Sequence, residues 1–221
     1  MNDPKQEMVE NFNQYHIGLD DVFAFKCRGC GKCCKNRDDI LLNSRDVYNI
    51  ATALKLTHQQ VIEQYCDVYV GSNSRIPIVR LKPKGPNKMC PLLSGSRCSV
   101  HSFKPTVCAL FPLGRVFMAE NAMEQMDERT LEKMSSCKPN QIEYVITPFT
   151  CASLKRKQTV RAWLEAFGIL AEDEFFLKWN QAIFKLTTDL RKYEGKEGVT
   201  DNRSEERRVG KECRSRWSPY H

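Results

Sequence analysis

Short apolar runs alternate with polar, turn-rich stretches along this chain, and only a few segments keep a helical period. Residues 1–24 are polar and predict a loose or helical lead-in, with Phe12, Tyr15, Val22, Phe23 and Phe25 available to dock. Asp39-Ile40-Leu41-Leu42 predicts a short extended segment. Ser44 then reads as the cap of a helix with Val47, Ile50, Ala51 and Leu54 on one face. Thr57, with Gln60 three residues on, forms a capping box for a second helix carrying Val61, Ile62 and Tyr65. Cys66 falls on that helix and reads as packing. Gly71 to Ser74 is a turn before the strand Ile76–Leu81, and Pro83–Asn87 is a loop.

The second half is patterned differently. Cys90 to Val100 predicts a tight hairpin-like loop with a cysteine at each base, and a helical turn leads from Pro105 to Cys108. A strand is expected through Val116 and Phe117, a polar helix over residues 120–135, and a further strand at Tyr144-Val145-Ile146. Thr159–Phe167 and Glu172–Tyr193 predict amphipathic closing helices. Their stripe of Val160, Trp163, Leu164, Phe167, Phe175, Phe176, Trp179, Ile183, Phe184 and Leu186 reads as core, not as a cofactor box. The fold expected is a small α+β domain: short strands and cysteine-rich loops packed against several helices. Residues 1–24 form its lead-in and residues 25–200 the domain. No repeat is visible beyond the cysteine clusters.

Composition changes this picture at one end. The segment Arg203–His221 reads residue for residue as the translation of a common sequencing-library adapter, and is set aside as an assembly artefact comparable to a fusion scar. It holds six of the 34 Lys+Arg, three of the 27 Asp+Glu and Cys213. What remains is net +4 in place of +7, with ten cysteines. That charge is too sparse for a nucleic-acid stripe, so nucleic acid is not expected as a partner. No apolar run approaches a bilayer span, and the N-terminus lacks the apolar region of an export signal. The expectation is a cytoplasmic chain with no membrane partner.

The candidate chemistry lies in Cys27, Cys30, Cys33 and Cys34, spaced C-x2-C-x2-C-C. A thiolate is a strong ligand, and a bound metal supplies the field that deprotonates it. Gly29 and Gly31 supply the positive φ that tight ligand-aiming turns use. Adjacent Cys33 and Cys34 are not expected to serve one ion without strain, so one should face a second site, a partner thiol or the core. Lys26, Arg28, Lys32, Lys35 and Arg37 flank the cluster, which is too polar for buried structural thiols. Cys90, Cys98 and Cys108 form a second cluster, spaced C-x7-C-x9-C.

Order, spacing and the dipeptides Cys90-Pro91 and Phe111-Pro112 together resemble the YkgJ-type cysteine-cluster family, a CxxCxxCC zinc- or iron-chelating domain, over roughly residues 25–147. Flagellin lysine methylases are relatives of that family. The resemblance implies metal ligation by Cys27, Cys30, Cys33, Cys34, Cys90, Cys98, Cys108 and Cys137. Two features depart from its pattern. His101 and Lys104-Pro105 stand where an aromatic and Arg-Pro are usual, and Lys138-Pro139-Asn140 follows Cys137 where a glycine is common. His101 has a second reading as a zinc ligand.

Zinc sites commonly pair two short C-x2-C knuckles, and only the first cluster has them. Iron–sulfur centres accept thiolates from a compact run and from afar, so the reading leans to an iron–sulfur cluster over zinc, with the loops tied down by metal. The role expected is structural, sensory or electron-carrying. The alternative is an iron–sulfur-dependent enzyme like the flagellin-methylase relatives, although no glycine-rich βα loop is present to cradle a cofactor. A dithiol protein and a zinc module for nucleic acid are the weaker readings.

Overall fold

The computed structural model describes residues 12–117, 140–149 and 153–197. The helix expected over 120–135, Cys137, Cys151 and the adapter-like tail lie outside the described residues. In chain order the elements are β1 (Val22–Lys26), a 3-10 turn (Lys32–Cys34), α1 (Ser44–Leu54), α2 (His58–Tyr65), β2 (Cys66–Val70), β3 (Pro77–Leu81), β4 (Leu93–Ser94) and β5 (Arg97–Cys98). There follow a 3-10 turn (His101–Phe103), α3 (Thr106–Leu110), β6 (Leu113–Phe117), β7 (Ile142–Ile146), β8 (Ser153–Thr159), α4 (Val160–Ala166) and α5 (Glu174–Glu197). The class is α+β. Its sheets are two-stranded antiparallel pairs, β1–β8, β2–β3, β4–β5 and β6–β7. None of the described helices is long and apolar enough to cross a membrane.

Backbone contacts divide the chain into two units: Met1–Lys26 with Leu110–Phe184, and Cys27–Ala109 with Lys185–His221. In the first, Phe23 and Phe25 dock inward with period two, which makes Val22–Lys26 a strand where a loose or helical lead-in was expected to run to residue 24. Its partner β8 is the polar run Ser-Leu-Lys-Arg-Lys-Gln-Thr, which carries no strand signal of its own and owes its conformation to pairing with β1. Thr159 then caps α4, its Oγ1 accepting from Ala162 N–H at 3.1 Å. Phe25 meets Phe111, Phe149 and Trp163 edge-on at centroid distances of 5.7, 5.0 and 5.4 Å. The buried indole N–H of Trp163 donates to the Leu110 carbonyl at 3.1 Å. Arg115 and Asp173 form an ion pair at 2.9 Å with side chains only 2% and 4% exposed. Arg115 also donates to the Leu170 carbonyl at 2.6 Å and lies over the Phe176 ring.

In the second unit, Ile40, Leu42, Val47, Ile50, Ala51, Val61, Leu81, Leu92 and Val100 build the core. The cap of α1 is Asn43, not Ser44. Asn43 Oδ1 accepts from Asp46 N–H at 2.9 Å, and Asp46 Oδ2 accepts from Asn43 N–H at 3.2 Å. The Thr57–Gln60 capping box of α2 is present as expected. Cys66 is not helical: it opens β2 opposite Leu81. It is nonetheless buried in the core, as its packing role required, and burial pushes its thiol pKa up to about 11. Residues 40–42 run extended beside β3, with Leu81 N–H on the Ile40 carbonyl at 2.9 Å and Leu42 N–H on that of Val79 at 2.8 Å.

Candidate metal centre

The first cysteine loop turns through two left-handed glycines, Gly29 at φ 62° and Gly31 at φ 67°. The chain then closes in the 3-10 turn, with Cys34 N–H on the Gly31 carbonyl at 3.1 Å. Gly31 has a second reason to be glycine. A Cβ there would lie 3.2 Å from the Ser96 carbonyl oxygen and 3.4 Å from Leu93 Cδ1, so this turn rests against the hairpin of the second cluster.

That hairpin pairs Leu93 with Cys98 and Ser94 with Arg97. Three main-chain hydrogen bonds lay the two cysteine segments side by side: Asn36 N–H to the Asn87 carbonyl at 2.9 Å, Arg37 N–H to that of Lys88 at 3.2 Å, and Cys90 N–H to that of Cys34 at 2.8 Å. An ion pair of Lys88 with Asp38 at 2.6 Å reinforces them. Cys108 arrives on α3, whose first residue Thr106 donates both its N–H and its Oγ1–H to Asp46 Oδ1, each at 2.8 Å.

Five half-buried thiols are thereby linked as neighbours, Cys34 to Cys33, Cys90 and Cys108, and Cys98 to Cys90 and Cys108. Cys33 and Cys34 Sγ lie 4.0 Å apart, each the partner thiol of the other. The hydrogen bond between the two thiols, aided by Arg37 and Lys104, lowers the Cys33 pKa to about 6, while the same bond and burial push Cys34 up. Burial and the neighbouring sulfurs also raise Cys90 and Cys108, the latter to about 12. A sulfur-only donor set of this kind suits zinc and iron. Among the described residues no three His, Cys, Asp or Glu side chains are drawn into the geometry of a single ion.

Of the five cations flanking the first cluster, Lys26, Arg28, Lys32 and Lys35 are exposed, and Arg37 alone is half-buried. Its guanidinium pairs with Asp39 at 2.5 Å and donates to the Cys33 carbonyl at 3.5 Å. Lys104, half-buried where the resemblance led one to expect arginine, adds a second positive charge near Cys33 and Cys108. Cys27 and Cys30 lie exposed on the loop, with Gly29 N–H donating to Cys27 Sγ at 3.4 Å. His101 is exposed on the second 3-10 turn. Sequence reasoning missed Asp46. The spacing Asn43-x-x-Asp46 signals a capping box, but nothing local signals Thr106, sixty residues away.

A family model described as "CxxCxxCC: Putative zinc- or iron-chelating domain" matches residues 26–138. No curated protein and no solved structure matches the chain.

Proposed function

We propose, from the premise that the chain belongs to the CxxCxxCC family of zinc- or iron-chelating domains, that Cys33, Cys34, Cys90, Cys98 and Cys108 ligate its metal centre. Cys27, Cys30 and Cys137 complete the ligand set. The observation that carries this is the lateral pairing of two segments more than fifty residues apart, through the Cys90–Cys34 main-chain bond, which brings Cys33 and Cys34 beside Cys90, with Cys98 and Cys108 in turn beside Cys90.

One magnitude revises the expectation for the adjacent pair. Two sulfurs on one tetrahedral zinc, at bonds of about 2.3 Å, stand roughly 3.8 Å apart. Cys33 and Cys34 are at 4.0 Å, so adjacency does not bar them from one ion. Arg37 and Lys104 offset part of the negative charge that several thiolates bring. The distributed spacing favours an iron–sulfur centre over zinc. Bound iron and sulfide would supply one-electron chemistry, and zinc would supply folding free energy. The role is structural, sensory or electron-carrying.

The test is anaerobic purification of the full chain, with a visible spectrum and iron, sulfide and zinc analysis on one sample. A brown sample with matched iron and sulfide supports the cluster, and stoichiometric zinc without colour supports a zinc-stapled fold. Neither metal, or metal content unchanged in Cys34→Ser and Cys90→Ser, would overturn the proposal.

A further inference from the structure

Asp46 is 2% exposed, and its carboxylate does more than a helix cap requires. In a capping box the third residue of the helix needs to accept one N–H, that of the cap. Asp46 Oδ2 does this for Asn43. Its other oxygen is committed elsewhere, to the N–H and hydroxyl of Thr106. Burying a carboxylate is costly unless hydrogen bonds compensate, and an exposed aspartate would cap α1 without that cost. The buried arrangement therefore serves the Thr106 end.

Thr106 follows Pro105, whose side chain is fully buried, and the Pro105 carbonyl accepts the N–H of Cys108 at 2.9 Å and of Ala109 at 2.9 Å. Cys108 thus sits on a single turn whose first residue is clamped to α1. The helix providing the clamp is itself seated by Val47, Ile50 and Ala51 in the core. We propose that Asp46 is a positioning residue for the cysteine centre: through Thr106 it sets where the Cys108 thiol lies relative to Cys34, Cys90 and Cys98. The metal-affinity arm of its test rests on the ligand reading above, and the labelling arm does not.

The test uses the full chain as Thr106→Val, Thr106→Ser, Asp46→Asn and Asn43→Ala. Zinc affinity is read by competition with a chromophoric chelator, and helix content by circular dichroism. In metal-stripped protein, alkylation at each cysteine is timed by peptide mapping. Loss of a group bonded directly to a metal ligand typically costs roughly ten- to hundredfold in affinity, and the low end applies here because Thr106 acts on Cys108 through the turn. Thr106→Val and Asp46→Asn are expected to weaken zinc about tenfold and to change the alkylation rate of Cys108 several-fold, leaving Cys27 unchanged. Thr106→Ser, which keeps the hydroxyl, should restore both. Asn43→Ala removes only the cap, and should lower the melting temperature without moving zinc affinity or Cys108 labelling.

The proposal is overturned if Thr106→Val labels and binds as the parent does, or if Asn43→Ala shifts Cys108 equally. If the parent takes neither zinc nor iron, the ligand reading fails and Cys108 labelling alone decides the role of Asp46.

Discussion

In the unit of residues 12–26 and 110–184, loops are held by large apolar contacts. Phe25 is surrounded edge-on by three aromatic rings, and the Arg115–Asp173 pair is sealed from water beneath Phe176. In the unit of residues 27–109 and 185–197 the core is aliphatic and takes in Leu92 and Val100 beside the second cysteine cluster, while the first loop is aimed by main-chain hydrogen bonds and a glycine turn, and the Cys108 turn by one buried carboxylate. Apolar burial is non-directional and tolerates adjustment, whereas a ligand set needs atoms placed to a few tenths of an ångström. The difference between the units is that between filling a volume and aiming a group.

The sharpest way to break the comparison is in the aromatic core. Trp163→Ala removes a ring packed against Phe23, Phe25 and Phe167 and an indole hydrogen bond. It should cost about 3–5 kcal/mol in urea unfolding. Next is Asp173→Ala, which leaves the Arg115 guanidinium buried without its carboxylate. About 3 kcal/mol is expected, near the low end for a broken buried pair because the Leu170 carbonyl still accepts. Neither substitution should change how many cysteines bind metal.

In the cysteine unit smaller energies should have larger consequences. Gly31→Ala forces a left-handed alanine whose Cβ meets the Ser96 carbonyl, whereas at Gly29, equally left-handed, nothing lies within 4 Å of a Cβ. Both should lose about 1–2 kcal/mol from backbone strain, and Gly31→Ala somewhat more from the contact. Metal content, measured after purification, should fall for Gly31→Ala and hold for Gly29→Ala.

The smallest effect is a rate. Burial raises the Cys66 pKa to about 11, so at pH 8 the thiol stays protonated and iodoacetamide should modify it far more slowly than exposed Cys27. Because the folded pKa is the higher one, this contribution to stability is intact below about pH 9. It is lost as pH rises towards about 11, and Cys66→Ala should flatten that slope.

Local signals carried much of this molecule. The capping box at Thr57, the helix beginning near Thr159, the hairpin between Cys90 and Cys98 and the two cysteine clusters are all legible because each is decided by a few neighbouring residues. The same spacings sufficed to identify the family. Tertiary structure decided what depends on partners distant in the chain. The polar run 153–159 is a strand because β1 lies beside it, and Arg37 is singled out from five cations because its segment pairs with Asn87 and Lys88. Cys33 and Cys34 face one another because the 3-10 turn closes there. Asp46 shows the boundary within one side chain: its bond to Asn43 is local, although the cap was expected one residue on at Ser44, and its bonds to Thr106 span sixty residues. A cap is satisfied within one helical turn, but the placement of a ligand is set by whichever element folding brings against it.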